Sequence, residues 1–272
     1  ADLLRNAGYK VGDTGKGWSP GRLEPGGRSE NPAGELVTGG TLEPPFRAIR
    51  NVDYAGNFET FLGSVVDEEP FCFWLGTSEP HRGYQLGAGI STGKDPSNVI
   101  VPGIFPDTEI VRSDILDYYV EVEHFDLMVE RALASLEKRG LLENTIVVVT
   151  SDHGMPFPRA KASLYDWGSR VPLAIRWPGG IREAGRTVEA FVNLSDLAPT
   201  FLEVAGLTVP EMMTGRSLLD VFANQEAEKR EAAYIAMERH DGCRAGGKGY
   251  PCRAIRTRSE EHTSELQSPV PI

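Results

Sequence analysis

The feature that most constrains the fold is a repeated step in which an apolar, β-branched or aromatic run ends in polar residues. Residues 146–150 form one such run, which predicts a buried strand of a parallel sheet. Residues 71–76 form a second, and they follow an amphipathic helix predicted over residues 54–66. Because strands and helices alternate along the chain, we expect an α/β domain with a mainly parallel central sheet.

Polar side chains follow both of these strands. Asp152 and His153 come directly after the first, and Glu79, His81 and Arg82 follow the second. In open α/β sheets the loops at the carboxyl ends of the strands converge on a common crevice, where ligands bind. A carboxylate beside an imidazole indicates a metal site. The Glu-Pro-His-Arg group fits a binding role and a solvated loop about equally well, since turns favour such residues.

Composition limits the class of partner. The 272 residues are 40% apolar and carry a formal charge of -11, so the chain can bury a substantial core. It has no cluster of Lys and Arg of the kind that nucleic-acid binding requires, but a local basic pocket for a small anion is compatible with this charge. No apolar window approaches about eighteen residues, so we predict no membrane span.

Two further segments matter for the site. Lys16 lies between two glycines, which allows its ammonium to approach an anion closely, although a solvated turn is the commoner reason for this pattern. The longest predicted helix covers residues 108–139 and has an apolar stripe spaced by three and four residues. His124 falls off that stripe, so we expect it to face solvent.

The three cysteines bear on the cellular compartment. Cys243 and Cys252 lie in a Gly-rich, Pro-containing loop that could bring them within bonding distance, as in an exported protein. Two reduced thiols of a cytosolic protein are the alternative. Cys72, inside an apolar run, is predicted to be a buried structural thiol.

Residues 151–179 carry a resemblance to a known family. Ser-Asp-His-Gly at 151–154, Lys161 and Tyr-x-x-Gly-x-Arg-x-Pro at 165–172 resemble the sulfatases of the alkaline-phosphatase superfamily, and within them the sulfamidase-like, heparan-sulfate-type branch. The resemblance runs from about residue 1 to about residue 257. It implies an alkaline-phosphatase-like sandwich, here incomplete, with a mainly parallel central sheet flanked by helices.

The resemblance also implies roles for individual residues. Asp152 and His153 would ligate one divalent cation, normally calcium in this family, although an imidazole suits zinc or manganese better. Lys16 would hold both sulfate and nucleophile, and Lys161 would contact the sulfate oxygens and help the leaving group depart. His81 would bind sulfate and serve as general acid.

Other positions are implied less directly or depart from the family. Candidates for substrate contact are Glu79, Arg82, His240 and Asp241, the last two in a C-terminal subdomain. The family commonly has a His two residues after the lysine of its Gly-Lys motif, and Trp18 stands there, which puts that histidine's role in doubt here.

The family's nucleophile is missing from the chain. Sulfatases carry, upstream of the Gly-Lys motif, two metal-binding aspartates and a Cys-x-Pro/Ala-x-Arg motif whose Cys becomes formylglycine. Neither precedes Ala1, so we expect upstream sequence to be absent. Residues 252–256, Cys-Arg-Ala-Ile-Arg, fit the nucleophile pattern superficially. They lie far downstream of Asp152, and we interpret them as a chance match.

These inferences predict a fragment of a sulfuric ester or sulfamate hydrolase that acts on sulfated sugars in the periplasm or outside the cell. The predicted domains are residues 1–222 (catalytic, lacking its N-terminal part), 223–257 (start of the C-terminal subdomain) and 258–272 (an adapter-derived tail). The alternatives are a catalytically inactive sulfatase homologue and a phosphatase or phosphodiesterase of the same superfamily, which would use two zinc ions. The sequence favours neither O-sulfate nor N-sulfate.

Overall fold

The chain folds into two compact units, Ala1–Leu142 and Glu143–Ile272. The structure is a computed structural model, and it describes residues 1–18, 22–66, 68–223, 230–238, 245–258 and 261–265. Each unit contains its own helices and strands.

A parallel sheet forms the centre of the first unit. Its strands, in the spatial order β2-β1-β3, are β1 (Lys10–Gly15), β2 (Glu35–Leu36) and β3 (Phe71–Gly76). Lys10 pairs with Phe71 and Gly15 with Gly76, so β1 and β3 begin and end in register. The segments that follow these two strands therefore leave the sheet at the same edge.

Side chains cap the two longest α-helices of the first unit. Its α-helices are α1 (Asp2–Asn6), α2 (Tyr54–Ser64), α3 (Ala88–Ser91) and α4 (Glu109–Lys138). Asp53 caps α2 by accepting the N–H of Gly56, and Thr108 caps α4 by accepting the N–H of Val111. Gly140, with φ 69°, takes the left-handed conformation that ends α4. The predicted helix at 108–139 is therefore confirmed.

Aromatic side chains join α2 to β3. The rings of Phe58 and Phe61 lie 4.9 and 4.6 Å from the ring of Phe73, and both α2 rings are buried. Burying a ring of this size stabilises a fold by about 1.5–3 kcal/mol. This packing fixes α2 against β3, whose carboxyl end carries the candidate site.

The buried face of α4 holds polar as well as apolar side chains. Asp117 is 2% exposed and accepts the N–H groups of Gly87 and Gly89 over 2.9 and 2.8 Å. Met128 is fully buried and packs against Tyr54 of α2. One face of this helix thus anchors both α3 and α2.

The prediction that His124 faces solvent is wrong. His124 is 5% exposed and lies on the buried face of α4 with Glu121, which is 3% exposed. The prediction failed because the buried face is centred on positions 117, 121, 124 and 128, whereas the apolar stripe lies beside it on positions that are half-buried, including Val122 and Phe125.

The second unit is built mainly of antiparallel pairs. Its elements are β4 (Val147–Thr150), α5 (Asp166–Ser169), β5 (Leu173–Arg176), α6 (Leu197–Val204), α7 (Leu219–Phe222), β6 (Ala232–Met237), β7 (Cys252–Thr257) and β8 (Glu261–Glu265). β4 pairs with β5, and β6, β7 and β8 form a second sheet in that order.

The strand predicted at 146–150 is confirmed, but its expected parallel pairing is wrong within the described residues, where its partner β5 runs antiparallel. A parallel partner needs a crossover connection, usually a helix. The link between β4 and β5 contains only the four-residue α5 as a helix, so the chain turns back on itself.

A buried ion cluster ties the segment before β6 to the preceding helices. Arg230 lies 3.0 Å from Asp196, which is at the start of α6, and 3.3 Å from Asp220 of α7. The side chains of Arg230 and Asp196 are each 7% exposed. Arg230 also donates to the carbonyl oxygens of Arg216 and Ser217. One guanidinium therefore holds several elements of the second unit together.

The α/β class predicted from the sequence is confirmed by the parallel sheet and its helices. Across the described ranges, no helix is both long and apolar enough to cross a bilayer. The domain boundaries at 222 and 257 stay predictions, and β8 lies within the segment 258–272 that was predicted to be a tail.

Candidate active site

The backbone of Lys16 is fixed to the end of the neighbouring strand. Its N–H donates to the carbonyl oxygen of Gly76 over 2.6 Å, and the indole N–H of Trp74 donates to its carbonyl oxygen over 3.0 Å. Gly15 has φ 74°, and a Cβ there would overlap with the Gly76 carbonyl oxygen. The glycine before Lys16 is therefore required by both conformation and space.

A buried carboxylate lies beneath this turn. Asp13 of β1 is 1% exposed, and burial raises its pKa. Its Oδ1 accepts from the side-chain amide of Asn31 over 3.2 Å. A Cβ at Gly17 would overlap with the Asp13 carboxylate, so the second glycine of the turn is required as well. The sequence analysis missed Asp13, although an acid three residues before Lys16 was the signal available.

The loop that carries His81 leaves the same edge of the sheet as Lys16. Within it, the hydroxyl of Thr77 donates to the carbonyl oxygen of Glu79 over 2.7 Å. The N–H of His81 donates to the carbonyl oxygen of Ser78 over 2.9 Å. His81 is exposed, and its Nδ1 lies 3.1 Å from the carbonyl oxygen of Arg82. A neutral ring that donates from Nδ1 carries its lone pair on Nε2.

The two predicted substrate contacts of this loop lie in different environments. Glu79 is 5% exposed, and its Oε1 accepts the N–H of Arg50 over 2.8 Å, so its carboxylate faces the interior. The guanidinium of Arg82 is 46% exposed, lies 2.6 Å from Asp114 of α4 and stacks 5.1 Å above the ring of Tyr84. Of the two, Arg82 is the one that an external ligand can reach.

Asp152 and His153 lie together in the turn after β4. His153 Nε2 is 3.5 Å from Asp152 Oδ1, and the two side chains are 33% and 55% exposed. His153 Nδ1 is 2.8 Å from the carbonyl oxygen of Gly154. A backbone carbonyl that accepts from Nδ1 fixes the tautomer and keeps the Nε2 lone pair for a metal.

This donor set fits a divalent cation in part. A carboxylate oxygen suits calcium, whereas the imidazole nitrogen is a ligand typical of zinc or manganese. Among the described residues, no group of three or more His, Cys, Asp or Glu side chains is arranged to hold a metal. Asp152 and His153 therefore provide two neighbouring donors and not a complete coordination shell.

Lys161 lies in an irregular segment with a strained backbone. Arg159 and Ala162, on either side of it, have φ 61° and 63°, values that cost non-glycine residues of order 1–3 kcal/mol each. The N–H of Lys161 donates to the carbonyl oxygen of Met155 over 3.0 Å. Strain of this kind is often retained where a side chain must be held in one place, and nothing in the composition of the segment had indicated it.

The predicted site residues are distributed over both units. The first unit holds Lys16, Glu79, His81 and Arg82, and the second holds Asp152, His153 and Lys161. His240 and Asp241 lie outside the described residues, so their assignment stays a prediction.

The same holds for a disulfide between Cys243 and Cys252, because Cys243 lies outside the described residues. Cys252 is 5% exposed on β7 and packs against Leu164 and Ala254. This burial agrees with the interpretation of residues 252–256 as a chance match to a nucleophile motif.

Comparison with known proteins identifies two matching family models. The model described as sulfatase matches residues 1–207, and the model described as the C-terminal part of N-sulphoglucosamine sulphohydrolase matches residues 156–259. The human N-sulphoglucosamine sulphohydrolase is 30% identical over 238 residues, which are 76% of this chain and 46% of the human protein. The chain thus spans about half the length of that relative.

Solved structures share the fold. A protein solved with its substrate D-glucosamine-2-N,6-O-disulfate superposes with a TM-score of 0.68 at 21% identity, covering 97% of this chain and 74% of that one. A phosphonate monoester hydrolase from Silicibacter pomeroyi superposes with a TM-score of 0.69 at 18% identity, covering 97% and 72%. At these identities the likeness concerns the fold alone.

Proposed function

The chain belongs to the sulfatase family, and from that premise we propose that it is part of a sulfuric ester or sulfamate hydrolase acting on sulfated sugars. The observation that carries the proposal is the shared sheet edge of the first unit. The register of Gly15 with Gly76 means that the segments carrying Lys16 and His81 leave the sheet at the same edge, and an ammonium together with an imidazole would suit a sulfate group. The name of the human relative and the substrate bound to the solved neighbour, D-glucosamine-2-N,6-O-disulfate, support a sugar substrate.

The roles that we propose for individual residues follow from their charges. Cleavage of a sulfate ester or sulfamate passes through a transition state rich in negative charge, which fixed cations stabilise. In our proposal Lys16 contacts the sulfate oxygens, and His81 holds on Nε2 the proton that the leaving group takes up. Lys161, in the second unit, keeps the sulfate contact that the family resemblance implies. Arg82, exposed and braced by Asp114, contacts the sugar or a second anionic group.

Two groups that the chain does not itself supply complete the proposal. A divalent cation, which we propose to be calcium, would be held by Asp152 and His153 together with ligands from elsewhere, and it would neutralise charge on the sulfate. The nucleophile would be a formylglycine, as the family resemblance implies. We further propose a periplasmic or secreted location, on the grounds that Cys243 and Cys252 are close in sequence.

Binding of inorganic sulfate to the purified chain tests the proposed anion site. Lys16→Ala and Lys161→Ala should each weaken binding about tenfold or more, because each removes a charged hydrogen bond worth roughly 1.5–3 kcal/mol. Isothermal titration or NMR measures the affinity. Lys138→Ala, whose side chain is 79% exposed on α4, is the matched control and should bind as the wild type does. The proposal fails if all three variants behave alike.

A phosphatase or phosphonate hydrolase is the second candidate, favoured by the structural likeness to the Silicibacter pomeroyi enzyme. The same titrations with inorganic phosphate separate the two. Sulfate is a dianion of fixed charge near neutral pH, whereas phosphate carries a proton that an anion site for phosphoryl groups must accommodate. Clear preference for phosphate over sulfate would favour the second candidate.

A further inference from the structure

Three buried side chains, one in the His81 loop and two on α4, each have a polar atom without a hydrogen-bond partner in the part of the chain that the structure describes. The atoms are Glu79 Oε2, Glu121 Oε1 and His124 Nε2. The side chains belong to residues that are 5%, 3% and 5% exposed. A buried polar atom without a partner costs about 1–3 kcal/mol, and more when it is charged, so three of them in one place require an explanation.

The cluster connects the loop to α4. Glu79 lies two residues before His81, whereas Glu121 and His124 are one turn apart on the buried face of α4. The charge of Glu79 acts on both of the other groups. Glu79 is therefore the link between the cluster and the loop.

The other titratable groups around the cluster do not supply a free positive charge. Tyr54 of α2 faces Glu79, and Tyr84 faces Glu121. His124 is faced by Asp53, the residue that caps α2, and by Arg131 of α4. Arg131 is already paired with Asp53 at 2.8 Å. The negative charge of the two glutamates must therefore be balanced within the cluster.

A proton provides that balance. Two carboxylates in a dry site do not both ionise readily, because each disfavours the charge of the other. Glu79 Oε1 accepts the N–H of Arg50 over 2.8 Å. Burial, together with the charge of Glu79, raises the pKa of Glu121 to about 7. Burial lowers the pKa of His124, which disfavours the imidazolium there.

We propose that Glu79 is a positioning residue for His81. A single proton, carried by Glu121 and not by His124, keeps Glu79 in place. The role given to His81 rests on the proposed function. Glu79 holds the loop at two points, since its carboxylate accepts the N–H of Arg50 and its carbonyl oxygen accepts the hydroxyl of Thr77. When Glu121 loses its proton, a second negative charge faces Glu79, and the loop with His81 moves.

NMR titration of the chain, without any substrate, tests this proposal. In protein labelled with 13C at Glu and His, Glu121 should titrate with a midpoint near pH 7, and the His124 ring should stay neutral in the same range. The ring signals of His81 should shift with the midpoint of Glu121, in addition to the change caused by the titration of the ring itself. A protonated His124 at neutral pH, or a Glu121 that titrates near its ordinary value of 4.5, would overturn the assignment of the proton.

Two glutamine variants of the same helix provide the matched comparison. Glu121→Gln keeps the shape of the protonated acid, so the His81 signals should lose the shift that follows Glu121. Glu123→Gln removes a carboxylate that is 61% exposed and paired with Lys94, and it should leave the His81 titration unchanged. If Glu121→Gln and Glu123→Gln give the same His81 titration as the wild type, Glu79 does not position His81.

A third variant separates positioning from simple structural support. Glu79→Gln should also uncouple His81 from Glu121, and thermal unfolding shows whether that variant is folded. If it does not fold, Glu121→Gln decides the question alone. Failure of the chain to bind inorganic sulfate would count against the proposed function, but it would leave these titrations and their meaning intact.

Discussion

Gly154 shows how closely single residues are constrained around the candidate metal ligands. It follows His153, its N–H donates to the carbonyl oxygen of Gly168 over 2.9 Å, and a Cβ at this position would overlap with the backbone of Trp167. Because both neighbours are backbone atoms, a side chain cannot be accommodated by a rotamer change.

We predict that Gly154→Ala destabilises the second unit by about 1–3 kcal/mol, the usual cost of overpacking. Chemical denaturation measures this change. Gly179→Ala is the control, because a Cβ there meets the Trp177 indole nitrogen at 3.4 Å, an ordinary contact. Equal effects of the two substitutions would show that the turn has room for a side chain.

The raised pKa of Glu121 predicts how the stability of the fold depends on pH. Its pKa is about 7 in the folded chain against an ordinary value of 4.5, so between these values the folded state binds more protons than the unfolded state. Stability should therefore fall as pH rises from 4.5 to 7, by at most about 3 kcal/mol, and be unaffected by this group above that range. Glu121→Gln should remove the fall, as measured by denaturation at a series of pH values.

His124 provides a counterpart of opposite sign. Burial lowers its pKa below 6.5, so below pH 6.5 the unfolded state binds more protons and the folded state loses stability as pH falls. His124→Gln should remove that loss. If the two substitutions change the pH profile in the same direction, the protonation states assigned to the cluster are wrong.

Residue identity predicted some of these features and missed others. Lys16 between two glycines was a readable signal, because glycine permits close approach and a positive φ. The interior position of Glu79 was not readable, since a glutamate in a Pro-containing loop is ordinarily solvated. Its burial depends on Arg50, which is distant in sequence.

At the scale of elements, the local sequence pattern predicted where helices and strands lie better than it predicted which elements they contact. The apolar run at 71–76 is β3 from end to end, and the long helix was placed within a residue at each end, because caps and strand ends are local. The buried face of α4 was misplaced because it carries Asp117, Glu121 and His124, polar residues that a hydrophobic pattern assigns to solvent.

Two further elements show the same limit. Residues 188–192, Val-Glu-Ala-Phe-Val, are rich in apolar and β-branched residues, yet the structure has no regular element there. Strand pairing is a tertiary property, so an apolar run without a partner remains irregular. The reversed direction of β5 relative to β4 likewise depended on the course of the chain between them.

The Arg230 cluster yields a prediction at this scale. Replacing Arg230 by Ala leaves the buried Asp196 without its cation, whereas Asp220 keeps Arg216 at 3.3 Å. Breaking a buried pair in this way costs about 3–5 kcal/mol. Denaturation of the variant measures the loss. Arg176→Ala removes a pair of similar length, 2.6 Å to Glu143, whose side chains are 41% and 75% exposed, and it should cost less than about 1 kcal/mol. Similar losses of stability in the two variants would mean that the Arg230 cluster stabilises the fold no more than an exposed ion pair does.

At the scale of the whole molecule, we predict that the purified chain does not hydrolyse an aryl sulfate. The family nucleophile motif does not occur upstream of Lys16 in these 272 residues, and the thiol of Cys252 is buried in a sheet. The assay should be run with and without Ca²⁺, beside a complete sulfatase as the positive control. Turnover that Lys161→Ala abolishes would contradict the prediction and would place a nucleophile within this chain.

The buried face of α4 limits how much the length of this helix can vary within the family. Contacts to the rest of the first unit come from Asp114, Asp117, Glu121, His124, Met128 and Arg131, at steps of three and four residues. Inserting one residue among them would turn everything beyond it by about 100° around the helix axis. Related genes should therefore differ in length in the loops on either side of α2 and α3, while the coding segment for α4 keeps a constant number of codons.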